Sequence, residues 1–430
     1  MWKVGLLLLS ICALAKCADD NRFELGFETT DEIKKENLKC LKDADYKVVG
    51  VRIYNNGEHD ETGLKNMETA SENFTVQALV VPNISKAAAV QVTDIVKRGR
   101  RNKQALQKIF LKITDPLCWW QEQERNVAFI NLFVKTAQSL KLKVGFYTNW
   151  YDYKVITGNS ARFSPTEVWY WKTLGVGDDA KGLSAHSTIT YKTPSIIKRW
   201  NVVLHASKMW KSVLFIIAFG VFVFAEELTE SIDTVDEITE KAYRCLKSTN
   251  LEHVTVRVYA NGTSDEVGYK NLERVLGRMS VNVYVVPSPF DDPVRQVEDM
   301  VNHTKSHKWV NGTLYIQITD PSKWSRNKEE NGHFIKRFAE AAQSNAIKVA
   351  YLTSWYDYQT ITGNTKIIPV GKLWYWETNG VGPEAQTENN FADFRPFGPF
   401  QSPPIAKQYC IQEKYCGLNV NRNVYTPKLF

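Results

Sequence analysis

The sequence predicts an α/β protein made of two copies of a TIM-like β/α barrel unit, the first copy lacking its C-terminal part. Three observations carry that expectation. Segments recur at a constant offset of 205 residues, strand-like and helix-like patterns alternate within each copy, and a copy holds at least six strands in roughly 200 residues. That strand number and length favour a barrel over an open sheet.

The offset is set by Cys40-Leu41-Lys42 and Cys245-Leu246-Lys247. Val51-Arg52-Ile53-Tyr54 returns as Val256-Arg257-Val258-Tyr259, and Ile113-Thr114-Asp115-Pro116 as Ile318-Thr319-Asp320-Pro321. Between Val144–Asn159 and Val349–Asn364, ten of sixteen positions are identical, and no gap is needed from Cys40 to Gly177. A period this long marks a duplicated domain rather than a solenoid. The copies diverge after Ala180. The organisation expected is a leader at 1–18, a truncated first repeat at 19–180, an unmatched junction at 181–208, a leader-like segment at 209–225 and a complete repeat at 226–430.

Within the complete repeat, Ser231-Ile232-Asp233 reads as a short strand, with Thr234 capping a helix that reaches Leu246. His253–Ala260 and Asn282–Pro287 are the next strands, and Pro293–Val301 a helix. Thr313–Asp320 alternates polar and apolar residues and gives strand four, ending at a proline. Phe334, Phe338, Ala341 and Ala342 define one face of an amphipathic helix. Lys348–Trp355, Lys372–Trp376 and Ile405–Tyr409 complete the strands. In such barrels the chemistry sits at the C-terminal strand ends.

A hydrophobic fraction of 43% and a charged fraction of 23% suit a globular protein. The net charge of +7 suits an anionic surface such as a bacterial wall, and is too mild and dispersed to argue for nucleic acid. Met1–Ala18 has the charge, apolar core and small residues of a secretory signal peptide. Five sequons, at Asn73, Asn83, Asn261, Asn302 and Asn311, agree with an extracellular, glycosylated protein. Met209-Trp210-Lys211 echoes Met1-Trp2-Lys3 and precedes thirteen apolar residues, Val213 to Ala225. Their helix would span roughly 20 Å, short of a hydrocarbon core of roughly 30 Å, so a second signal segment is expected rather than a membrane span. That reading predicts a chain that joins two neighbouring duplicated genes. Cys245 has either Cys410 or Cys416 as partner, or those two pair with each other.

No histidine occupies the same position in both copies, which argues against a shared catalytic triad. His303 and His307 are spaced as on one helix face, a wet face rather than a metal site, and no cofactor is implied. Aromatic residues are the positive signal. Tyr259, Trp355, Trp374 and Trp376 fall at predicted strand ends, where rings stack on sugars or pack as core.

Several motifs together resemble the nematode and amoeba-type lysozymes of glycoside hydrolase family 25. They are Cys245-Leu-Lys, Val256-Arg-Val-Tyr259, Thr353-Ser354, Leu373-Trp-Tyr, Phe394-Arg-Pro-Phe-Gly, Lys407-Gln-Tyr and Cys416-Gly-Leu-Asn-Val. The resemblance implies an irregular β/α barrel of that family's type, acting on peptidoglycan. It also implies four acidic positions, and here the chain departs. Asp233 matches the first-strand Asp, with Glu28 opposite it in the first repeat. The Asp-x-Glu of strand four is replaced by Gln317 and Thr319, and by Lys112 and Thr114 in the first repeat. The last Asp is replaced by Asn421.

Glycoside hydrolysis normally needs a carboxylic acid on the leaving oxygen and a second carboxylate at the sugar. Thr319 is far too weak an acid. The expectation is therefore a secreted, lysozyme-like protein of defence or gut function that binds glycan with its catalytic centre degraded. Two alternatives stand beside it. One is an active divergent muramidase using Asp233 and Asp320, the latter one residue past the lost Glu, as is Asp115 in the first repeat. The other is an interaction scaffold that no longer binds sugar.

Overall fold

A computed structural model describes residues 25–101, 106–163, 165–172, 184–187, 228–249, 251–307 and 313–426. Both leader-like segments, most of the 181–208 junction and Asn311 lie outside the described residues. The first repeat contains β1 (Leu25–Thr29), β2 (Tyr46–Asn55), β3 (Glu58–His59), β4 (Thr75–Val81), β5 (Lys108–Lys112), β6 (Lys143–Thr148), β7 (Val168–Trp171) and β8 (Ser184–Ser187). They form an open sheet in the order β1-β2-β4-β5-β6-β7-β8, with β3 added to β2. Pairing along it is parallel up to β7, and β8 is antiparallel.

The second repeat contains β9 (Thr229–Thr234), β10 (His253–Ala260), β11 (Thr263–Ser264), β12 (Ser280–Val286), β13 (Thr313–Gln317), β14 (Lys348–Thr353), β15 (Lys372–Trp376), β16 (Ala406–Tyr415) and β17 (Leu418–Tyr425). Eight of them close a barrel, since β9 pairs with β10 on one side and with β17 on the other. The long return hairpin makes the barrel irregular: β17 is antiparallel to both β16 and β9. Closure leaves no edge strand around the ring.

Side-chain alternation sorts the core into two layers. Leu314 and Ile316 of β13 face outward into the cluster shared with Phe334, Phe338 and Ala342 of helix Lys328–Ser344. Tyr315, between them, faces inward with Tyr284, Trp374 and Tyr425. The predicted amphipathic helix is thus present with its apolar face buried.

Several boundaries differ from expectation, the helix Pro293–Ser306 running past the predicted Val301. Thr234 is still strand, and Thr239 caps the helix Glu240–Ser248 by accepting from Ala242 N at 3.2 Å. Strand four stops at Gln317, and Asp320 adopts φ +57° before a 3-10 turn at Pro321–Lys323. Trp355 does not end a strand. It opens the helix Trp355–Thr362, because the Ser354 hydroxyl accepts from Asp357 N at 3.1 Å and Gly363 closes the helix at φ +66°. Finally, the last strand is twice the expected length and is followed by β17, which the sequence reading had not placed.

Cys245 pairs with Cys416, joining the helix Glu240–Ser248 to the β16–β17 hairpin across 171 residues. Cys40 and Cys118 are exposed thiols and Cys410 is a buried one. Alkylation of the unreduced protein, read by peptide mapping, is expected to label Cys40 rapidly, Cys118 slowly because burial and the Asp115 carboxylate push its thiol up to about 12, and Cys410 only after denaturation. Replacing Cys245 and Cys416 by Ala is expected to lower unfolding stability by about 2–4 kcal/mol in denaturant titrations.

Candidate functional site

The carboxylate of Asp233 stands at the seam of the closed barrel and is only 3% exposed. It is the neighbour of Thr255 on β10 and of Asn421 on β17. Three amides point at it. Gln408 Nε2 donates to Oδ1 at 2.8 Å, Asn423 Nδ2 to Oδ1 at 2.9 Å and Asn421 Nδ2 to Oδ2 at 2.8 Å. The amides are themselves held in place. Asn421 accepts from Gln412 N at 3.0 Å, and Asn423 accepts from Trp374 Nε1 at 3.1 Å. Burial pushes the Asp233 carboxyl up to about 6, and the three amides pull against that rise.

Across the mouth, Gln317 Nε2 donates to the Thr319 hydroxyl at 2.6 Å, so the two side chains satisfy each other on one face. Asp320 turns to its own loop. Its Oδ1 accepts from Ser322 Oγ at 2.8 Å and its Oδ2 lies 3.0 Å from Lys323 Nζ. Its backbone N–H donates to Tyr151 of the first repeat at 3.0 Å. Among the described contacts no hydrogen bond or ion pair joins Asp320 to Asp233.

The first repeat solves the same problem with charge. Lys112 Nζ lies 2.7 Å from Glu28 Oε1, with side-chain exposures of 18% and 29%, and sits over the Tyr147 ring at 4.3 Å. Glu28 and Lys112 occupy the positions of Asp233 and Gln317 at the same offset. Thr114 gives its carbonyl to Trp119 Nε1 at 3.0 Å.

A family model described as lysozyme-like protein 1 matches residues 19–188 and again 225–409. The chain belongs to this lysozyme-like family, once in each half. Lysozyme-like protein 2 of Caenorhabditis elegans is 32% identical over 188 residues, covering 42% of this chain and 67% of its own length. Probable GH family 25 lysozyme 2 of Dictyostelium discoideum is 25% identical over 217 residues, 50% of this chain and 98% of its own. A family 25 glycosyl hydrolase structure from Bacillus anthracis covers 46% of this chain and 88% of its own, at 13% identity and a TM-score of 0.36. The two curated alignments are each about one repeat long. This kinship supports a peptidoglycan-related, glycosyl-hydrolase-like role.

In this lysozyme-like chain the aromatic candidates are spread through the fold rather than gathered. Trp374 is wholly buried, packed edge-on against Tyr315 and Tyr284. Trp376 is 9% exposed and donates to Asp357 Oδ2 at 2.8 Å. Trp355 packs against the outer core. Tyr259 borders an open cavity of about 490 Å³ shared with Ser264, Asp299, Asn302 and His303, a wall that includes neither Asp233 nor Gln317. His303 and His307 stack on each other, His307 also stacks on Tyr269, and His303 meets Tyr269 tilted. Asn261 and Asn302 are exposed, whereas Asn73 and Asn83 are half-buried.

Gln408 and Asn423 were not among the predicted site residues. The alternation of Asn419, Asn421 and Asn423 with Leu418, Val420 and Val424 was a usable strand signal, and Gln408 sits in the Lys407-Gln-Tyr motif. Asp152 and Asp357 were also missed as buried acids, with burial pushing Asp357 up to about 7.

Because the folded Asp233 carboxyl titrates near 6 rather than near 3.8, its contribution to stability is complete below about pH 4 and disappears as pH rises through 6. Chemical denaturation of wild type and Asp233→Asn at several pH values is expected to show the difference moving in favour of the variant from pH 4 to 7. A pH-independent difference would contradict this assignment.

Proposed function

We propose that this protein is a secreted, glycosylated lysozyme homologue of innate defence or gut function that engages peptidoglycan without efficient hydrolysis. The observation that carries the reading is the fate of the carboxylates. Asp233 accepts from three amides, Glu28 is neutralised by Lys112, and Asp320 is tied to Ser322 and Lys323. A general acid must deliver a proton to the leaving oxygen from within hydrogen-bond reach. Gln317 and Thr319 carry no such proton, and they are hydrogen-bonded to each other. General acid catalysis typically contributes about 10²–10⁴-fold, and the second carboxylate role is also unsupported at this site.

The basic balance of the chain and the polar cavity beside Tyr259 support contact with an anionic, amino-sugar-rich wall. Incubation of the purified chain with insoluble peptidoglycan is expected to deplete it from the supernatant, while a turbidity assay on bacterial cells shows no clearing. Clearing that Asp320→Asn abolishes would establish the divergent muramidase instead. An empty pull-down would favour the scaffold reading.

A further inference from the structure

The surface that joins the repeats follows a two-fold rule written in the same 205-residue offset. Tyr151 donates its hydroxyl to Asp357 Oδ1 at 2.7 Å, and Tyr356 donates its hydroxyl to Asp152 Oδ1 at 2.6 Å. Tyr151 and Tyr356 are equivalent positions, and so are Asp152 and Asp357. The backbone N–H of Asp320 donates to the Tyr151 oxygen, and Asp115, the equivalent of Asp320, makes the matching backbone hydrogen bond to Tyr356. The two tyrosine rings meet edge to face at 6.2 Å. Reciprocal contacts of this kind define an isologous interface, here between two unequal copies.

Positions near the axis of such an interface meet their own equivalents. The turns Pro116–Cys118 and Pro321–Lys323 do so. Lys172 and Glu377, also equivalent, stand 2.8 Å apart from Nζ to Oε1, with side-chain exposures of 21% and 18%. Lys172 also donates to Asn379 Oδ1 at 2.7 Å. Two second repeats paired in this way would set Glu377 against Glu377, and two first repeats would set Lys172 against Lys172. Like charges juxtaposed in a partly desolvated contact oppose the wrong pairing.

We propose that the strand-end face of each repeat is a docking surface for the other repeat, and that Lys172 and Glu377 make the pairing selective for unlike copies. The docked arrangement occupies groups at the strand ends of each repeat, the Asp320 amide at the barrel mouth among them. It does not depend on whether the mouth retains any hydrolysis.

Zero-length carbodiimide coupling of the full chain, followed by digestion and mass spectrometry, is expected to link Lys172 to Glu377. The Lys112–Glu28 and Lys108–Glu167 pairs, each within one repeat, serve as positive controls. Hydrogen exchange supplies the energetic reading. In Lys172→Glu and in Glu377→Lys, amides of 150–157 and 355–362 are expected to exchange roughly tenfold faster, a shift of the order expected for a like-charge contact. Combining the two substitutions should restore protection. Unchanged exchange in 328–344 shows that the barrel itself remains folded. Control links without the Lys172–Glu377 link would overturn the proposal, and so would a swapped chain no better protected than the single variants.

Discussion

A carboxylate held at the first strand of each repeat needs partners, and the way each repeat supplies them shapes the rest. In the second repeat Asp233 is buried where β9 meets the returning hairpin, and the amides of Gln408, Asn421 and Asn423 come from β16 and β17. An ion buried without compensation is costly, so the donors and the closure of the barrel belong together. The disulfide from Cys245 to Cys416 ties down the same hairpin. In the first repeat, where the described sheet is open, Glu28 has no such amides among its described contacts and takes Lys112 instead.

Asn421 and Lys112 fit this picture as partners of the first-strand carboxylates. Asn421 stands where a carboxylate beside Asp233 would repel it; as an amide it donates a hydrogen bond. Lys112 likewise converts a position that would crowd Glu28 with negative charge into an ion pair. A pair of nearby carboxylates keeps one proton at high pKa, which is useful to a hydrolase and costly to a fold. In each repeat the first-strand carboxylate instead faces a donor, the Asn421 amide beside Asp233 and the Lys112 ammonium beside Glu28.

Much of the fold was legible because it depends on local pattern. The offset, the alternation in Thr313–Gln317 and the apolar face of Lys328–Ser344 are visible to a reader of side-chain period alone. The start of Trp355–Thr362 was misread although Ser354 and Asp357 stand three residues apart in the manner of a capping pair, since the aromatic run outweighed the cap signal. The hairpin strand β17 lay beyond the predicted strands, and its Asn421 and Asn423 serve as donors to a buried acid, a role that depends on the antiparallel return to β9. The direction of the Asp320 side chain was beyond reach, because it depends on a positive φ and on contacts with Ser322 and Lys323 that alternation does not encode.

The joining surface was beyond sequence pattern for a further reason. Trp-Tyr-Asp-Tyr repeats in both copies, and a repeated aromatic motif suggests a repeated ligand. Its members instead answer each other: Tyr151 meets Asp357, Tyr356 meets Asp152, and Trp376 steadies Asp357 from within its own barrel. Asp152 and Asp357 sit at the first turns of their helices, where a carboxylate gains from the free backbone N–H groups and the helix dipole. Burial against the other repeat would strip that advantage unless a donor replaced water, and a neutral phenol does so without adding a charge. The same phenol of Tyr151 takes up the Asp320 N–H. Docking of the repeats therefore occupies a backbone group at this strand end, and the phenol that compensates a buried helix-start carboxylate also fixes the Asp320 turn.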